Sequence, residues 1–235
     1  MTGYLREVLK RARPYDVAAP MLQRILERME CSAILDLASG GGGPWPELAR
    51  RFDRPVRVTL TDIAPSREAQ LRLAPEPDVE YLPAPVSALE PPDSGHRVWT
   101  MFTGLHHFAP SEVRAILSTA QSRGVAFCAF EATSRSARGV AVTLAIPLLV
   151  LLLMPLVRPR RFLPLMLTYL LPVFPLLIWW DGLASTMRTY TAAELKALAS
   201  EVAIDGYAWE VQECYVRGAP IPVLCLIGGP RGVVG

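Results

Sequence analysis

Four cysteines, three histidines and a net charge of +2 across 235 residues leave little room for several classes of function. Cys31, Cys128, Cys214 and Cys225 are scattered among apolar neighbours, and no two form a C-x-x-C pair. This excludes a disulfide framework and a cysteine-based zinc site, and predicts four reduced thiols in apolar surroundings. His106 and His107 have no third His, Cys or carboxylate nearby at ligand spacing, so no metal is expected. A charge of +2 makes no global case for nucleic acid. The N-terminus lacks the apolar stretch of a secretory signal. What the chain has in excess is hydropathy, with a mean of +0.27. The length suits one large α/β domain, or one domain carrying an insertion.

The pattern is clearest at 33–45. Ala33-Ile34-Leu35-Asp36-Leu37 reads as a buried parallel strand. Ala38-Ser39 and four glycines, Gly40 to Gly43, lead into Pro44-Trp45-Pro46. Glycine lets the backbone turn sharply and approach a ligand that a Cβ would block. Either proline suits the first turn of a helix, here read over 47–52, where a missing N–H costs nothing. Strand, glycine loop and helix N-terminus in that order make a nucleotide cradle.

A second strand, 56–61, runs into Asp62, about 20 residues beyond the loop. A carboxylate there has acceptors only, which suits the two donors of adjacent ribose hydroxyls. The competing reading makes Asp62 a helix N-cap. Further strands are expected at 78–82, 97–102 and 124–131. A helix at 110–119 has Ser111 as its cap, and a Thr191…Glu194 capping box opens another at 191–201. Segments 207–216 and 222–227 read as an antiparallel closing pair. Ahead of the first strand, 4–13 and 21–29 show helical periodicity, so 1–32 is expected to form a helical cap.

Asp36-x-Ala38-x-Gly40-x-Gly42 resembles the first motif of class I S-adenosylmethionine (SAM) dependent methyltransferases, acidic-x-Gly-x-Gly-x-Gly. Ala38 stands where that family usually has its first glycine. The resemblance implies a Rossmann-like α/β fold over 33–235. It has a seven-stranded, mostly parallel sheet of order 3-2-1-4-5-7-6 with helices on both faces, and SAM as cofactor. It implies cofactor contacts at Asp36, Ala38, Ser39, Gly40 and Gly42, and at Asp62 and Ile63 near the ribose. Thr103 and Leu105 follow the fourth strand. Pro85 and Val86 stand beside the adenine, where the family usually has an acid, so contact there is by backbone or packing.

Leu105-His106-His107-Phe108 resembles a frequent variant in small-molecule methyltransferases, placed beside the transferable methyl. An imidazole there can accept a substrate proton or simply order the loop. Glu131 ends the fifth strand at the same edge and joins His106 and His107 as a catalytic candidate. Tyr15, Trp45 and His107 are the candidate acceptor-binding side chains.

Segments 139–157 and 162–180 carry no charge at all and are separated by Arg158-Pro159-Arg160-Arg161. Each is about long enough to cross a bilayer, which takes roughly 20 residues. Two features oppose a span. Both ends return to one sheet, which would set the arginines against the positive-inside rule. Pro147, Pro155, Pro164, Pro172 and Pro175 would also interrupt the helices. The expectation is a broken helical hairpin at 139–180 whose apolar face dips into one leaflet or roofs the site, at the inner, cytoplasmic face of a membrane. A lid or a homodimer surface is the alternative. A large apolar surface beside a transferase pocket implies a hydrophobic small-molecule or lipid acceptor.

Two other functions compete. One is a non-catalytic, membrane-associated scaffold that keeps the fold, against which the intact Asp36, Gly40, Gly42 and Asp62 argue. The other is a nucleotide-dependent oxidoreductase, against which the antiparallel end pair and the His-His loop argue.

Overall fold

The computed structural model describes residues 13–156 and 162–234. The helix expected at 4–13, apart from its last residue, and the turn 158–161 lie outside the described residues.

Seven strands form one sheet: β1 (Ala33–Asp36), β2 (Arg57–Leu60), β3 (Val79–Tyr81), β4 (Val98–Phe102), β5 (Ala126–Glu131), β6 (Tyr207–Cys214) and β7 (Val223–Pro230). Their order is β3-β2-β1-β4-β5-β7-β6, as expected. The first five are parallel, and β7 inserts antiparallel between β5 and β6. Strands β4 and β5 are buried along their whole length, which is why they read as unbroken apolar runs and not as alternation. The register sets Asp36 beside Leu60 on one side and Thr100 on the other. The carboxyl ends of β1, β2, β4 and β5 therefore share one edge, where open α/β sheets bind ligands.

Two layers cover the sheet. On one face lie a 3-10 turn (Pro14–Val17), α1 (Ala18–Arg28), α2 (Trp45–Ala49) and α3 (Arg67–Leu73). Their Leu22, Ile25, Trp45 and Leu73 share a cluster with Ile34, Val58, Phe102 and Phe130. On the other face, α4 (Pro110–Ser122) and α9 (Ala192–Glu201) bring Ile116, Leu117 and Leu195 against Leu35, Trp99 and Phe127.

Several expectations shift. The helix after the glycine loop starts earlier, at Trp45, with Pro44 as N-cap and Pro46 in its first turn. Ser111 does not cap α4. The cap is Ala109, whose N–H donates to Glu112 Oε2 at 2.7 Å, and Pro110 opens the helix. The N-cap of α3 is Ser66, whose side chain accepts from Ala69 N–H, so Asp62 is free of that role. The proline-rich link 82–97 forms no helix. A groove of ≈ 440 Å³ lined by Arg57, Thr59, Glu80 and His96 lies there, at the amino-terminal end of the strands and away from the glycine loop.

The insertion is a broken bundle: α5 (Ala137–Leu144), α6 (Ile146–Leu153), α7 (Phe162–Tyr169) and α8 (Val173–Arg188). Pro147 falls in the first turn of α6 and Pro172 caps α8, as expected of residues that cannot continue a helix. Among the described residues, no helix is long and apolar enough to cross a membrane. The insertion is tied down at its base. Thr143 and Thr186 join their hydroxyls at 2.8 Å, and Thr189 Oγ1 donates to Thr133 Oγ1 at 2.6 Å.

Candidate active site

Asp36 is the hub of the carboxyl-terminal edge. It is fully buried, and it accepts hydrogen bonds from Ser39 Oγ at 2.6 Å and Thr100 Oγ1 at 2.6 Å. Burial outweighs those bonds and pushes its pKa up from the usual 3.8 to about 6. The indole N–H of Trp45 lies close enough to favour the carboxylate, yet Trp45 Nε1 is buried without a hydrogen-bond partner. A buried donor without an acceptor is costly and calls for an explanation.

The glycine loop folds over this hub. Ser39 N–H donates to the Thr61 carbonyl, and Thr61 N–H returns to Ser39 Oγ at 3.2 Å. These bonds stitch the ends of β1 and β2 together. Ala38 adopts φ +53°, a conformation that L residues avoid, so this position of the loop has a left-handed backbone even with a methyl group. Gly40 is also left-handed, at φ +51°, and a Cβ built on it would meet nothing within 4 Å. Gly42, at φ +95°, is closed instead: a Cβ there would come within 2.8 Å of Leu73.

Asp62 reaches across from β2. Its Oδ2 accepts from Gly40 N–H at 2.7 Å and its Oδ1 from Ala64 N–H at 2.8 Å. Each oxygen retains a further lone pair. Val86 N–H donates to the Asp62 carbonyl, which brings the Pro85-Val86 segment beside it. Ile63, next in the chain, is 67% exposed, an unusual setting for its size. Asp36, Ala38, Ser39, Gly40, Gly42, Asp62, Ile63, Pro85 and Val86 thus lie along one stretch of the edge.

The histidine loop closes the other side. Thr103 has φ +48°, a strained conformation for a β-branched residue. Its hydroxyl bonds to Tyr15 OH from the N-terminal turn. Phe102 meets Tyr15 and Trp45 edge-on at 5.0 and 5.4 Å, and stacks on Phe130 at 5.0 Å. Burial pushes the Tyr15 hydroxyl well above its usual pKa, so it stays protonated.

Glu131 is a clamp. Its Oε1 accepts from Leu105 N–H at 2.8 Å and its Oε2 from His106 Nδ1 at 2.9 Å, with both side chains buried. A carboxylate only accepts, so Nδ1 carries the proton of that bond. Leu105 is fully buried with its amide already engaged, so its side chain belongs to the core beneath the loop. His107 lies outside it, exposed, with its ring 4.2 Å from that of His106. Partial desolvation, followed by the neighbouring His106, lowers its pKa. Helix α8 packs against this 3-10 turn (Leu105–His107), with Asp181 and Arg188 near enough to act on His107.

Three contributors were not anticipated from the sequence: Thr100, Tyr81 and Arg72. Thr100 bonds Asp36, Tyr81 OH donates to the Gly40 carbonyl at 2.8 Å, and Arg72 donates to the Gly41 carbonyl. Thr100 carried a signal, a lone hydroxyl in the buried run Val98–Phe102. Among the described residues no group of His, Cys, Asp and Glu is arranged to hold a metal.

Residues 34–123 match the family described as "Methyltransferase domain". No curated protein gives a significant match. Among solved structures, the chain is similar to the plantazolicin methyltransferase BpumL in complex with SAH. The identity is 9% and the TM-score 0.60, covering 97% of this chain and 89% of that one. It is also similar to NcsB1, an O-methyltransferase from neocarzinostatin biosynthesis solved with SAM and a naphthoic acid. Here the identity is 15% and the TM-score 0.53, covering 95% and 60%. A third is the SAM-dependent methyltransferase SibL in its apo form, at 15% identity and TM-score 0.51, covering 92% and 55%. The chain thus spans little more than half the length of the last two. Over residues 34–123 the chain matches a methyltransferase domain, and its strand order is the one that the resemblance of the glycine motif implies.

Proposed function

We propose that this protein methylates a hydrophobic small molecule or lipid at the inner face of a membrane, with SAM as the methyl donor. The observation that carries the cofactor half is the Asp62–Gly40 contact, a carboxylate held by two backbone amides beside an open left-handed glycine. The residues present fit SAM. Asp62 keeps acceptors for two vicinal hydroxyls, Gly40 leaves room for a close approach, and Trp45 Nε1 is a donor in want of an acceptor. When bound, SAM would supply an electrophilic sulfonium methyl, to whose carbon an acceptor nucleophile bonds in line as the carbon–sulfur bond breaks and the thioether S-adenosylhomocysteine leaves.

The chain itself would orient and desolvate. Asp36, Ser39, Gly40 and Trp45 hold the amino-acid end of the cradle, while Asp62, Ile63 and Val86 hold the nucleoside end. His106, its Nδ1 tied to Glu131, presents Nε2 as the proton acceptor for a protic nucleophile, and His107 is neutral at physiological pH because its pKa is lowered. Tyr15, Trp45 and His107 border the acceptor. Positioning and exclusion of water carry most of such a reaction, which explains a clear cradle beside a sparse set of acid–base groups.

Isothermal titration tests the cofactor half. The wild type should bind SAM and not NAD. Asp62→Ala should lose about 10- to 100-fold in SAM affinity, the worth of hydrogen bonds to a charged acceptor. Asp62→Asn, which keeps one acceptor oxygen for Gly40, should fall between the two. Unchanged SAM affinity in both variants would remove the ribose assignment, and absence of SAM binding by the wild type would remove the function.

A further inference from the structure

The insertion turns its apolar side outward. Fifteen of the nineteen large hydrophobic side chains exposed among the described residues lie between Leu144 and Met187. Among the described residues, its own core is Val150, Met154 and Ile178, with four partly buried neighbours. Exposed apolar side chains gathered in this way mark an interaction surface. Leaving it in water forgoes roughly 25 cal/mol for each Å². Its charge is one-sided as well. Residues 137–188 hold five arginines (Arg138, Arg158, Arg160, Arg161, Arg188) against one acid, Asp181. Two copies of this segment would each bring the same net positive charge. An anionic headgroup layer over acyl chains suits both the exposed apolar side chains and the net positive charge of the segment, and Trp180, 68% exposed, is the side chain that such an interface favours.

Helix α8 has two sides. Leu176, Leu177 and Trp180 face outward, while Pro175 and Ile178 are buried. The same helix packs against the Leu105–His107 turn. We infer that the exposed face of α6–α8 seats on a bilayer containing anionic lipid. Helix α8, between that surface and the histidine turn, then forms the wall along which a lipid-phase acceptor reaches His106 and His107. The first part stands on the surface alone, and the second rests on the methyltransferase reading.

The full chain is to be co-sedimented with vesicles of phosphatidylcholine, alone and with phosphatidylglycerol added. Affinity should rise at least about tenfold with the anionic lipid, since each arginine near the surface adds about 1 kcal/mol, and salt should reverse the gain. Brominated lipid should quench tryptophan fluorescence in the wild type and less in Trp180→Phe, because Trp45 and Trp99 are buried and Trp179 and Trp209 are only partly exposed. Leu176→Asp combined with Leu177→Asp should abolish vesicle binding and leave calorimetric SAM affinity unchanged. Absence of vesicle binding, or binding indifferent to that pair of substitutions, overturns the inference. So does a detergent-free dimer that the pair dissociates, which would assign the face to a second copy. Vesicle binding without SAM affinity would sink the proposed function and spare the surface; SAM affinity without vesicle binding would sink the surface, and with it the membrane part of the proposed function, and spare SAM-dependent transfer.

Discussion

At the scale of single residues, Asp36 holds the strongest conflict between stability and function. Its pKa stands at about 6, above the usual 3.8, because the folded chain desolvates the carboxylate more than Ser39 and Thr100 compensate. A carboxyl raised on folding binds its proton more tightly in the native state. Stability from this group is therefore full below pH 3.8 and is lost as pH rises through 6. At neutral pH the ligand-free protein thus carries a penalty of roughly 2–3 kcal/mol. Asp36→Asn removes the charge and keeps an acceptor for one hydroxyl. The ligand-free variant should melt above the wild type at pH 7.5 and near it at pH 4, while SAM binds it more weakly. A lower melting temperature at pH 7.5 would show that the bonds to Ser39 and Thr100 outweigh desolvation. Residues of this kind differ in how readable they were. The placement of Asp62 beside Gly40 was legible through its spacing from the glycines, because a β-α-β unit has a nearly fixed length. Tyr81 was not, since its bond to the Gly40 carbonyl depends on the register of β3 against β2.

Among the elements, the insertion depends on one tight joint. An added Cβ on Gly139 would lie 1.9 Å from the Ser134 carbonyl oxygen, a backbone atom that cannot swing aside. Gly139 N–H also donates to Ser136 Oγ, the N-cap of α5. Gly139→Ala should therefore displace the start of α5, with a cost of about 2–3 kcal/mol from overpacking. The loss should appear as faster hydrogen exchange and proteolysis within 137–188, with SAM affinity retained. Unchanged exchange there would mean that the helix shifts without strain. Strands were readable because each parallel strand is a short apolar run with a turn signal at its end. The helices of the insertion could not be delimited, since a segment apolar on every side has no periodicity to show which face is inward. Only its prolines marked breaks. Helix α3 went unread because just Ala69 and Leu73 are buried, and Leu71 points to water.

The whole molecule divides its stability unequally. Two large clusters sandwich the sheet, one on each face, and the insertion adds a third with three buried side chains. The cradle draws on the first cluster through Trp45 and Phe102, whereas the insertion meets the carboxyl-terminal edge of the sheet through α8 on the histidine turn and through the Thr189–Thr133 bond. Cooperative units of unequal stability open separately in exchange experiments. A ligand that binds only the folded cradle stabilises it by about 2.7 kcal/mol at 100 times its Kd. For a domain of this size that is a rise in Tm of roughly 5–10 °C. SAM should produce that rise and NAD should not. Under SAM, amides of β1, β2 and 38–43 should slow by about the full factor, and those of 144–177 hardly at all. If the insertion slowed equally, it would belong to the same cooperative unit as the sheet. Its outward apolar face would then be ordered by the cofactor, before any bilayer or acceptor arrives.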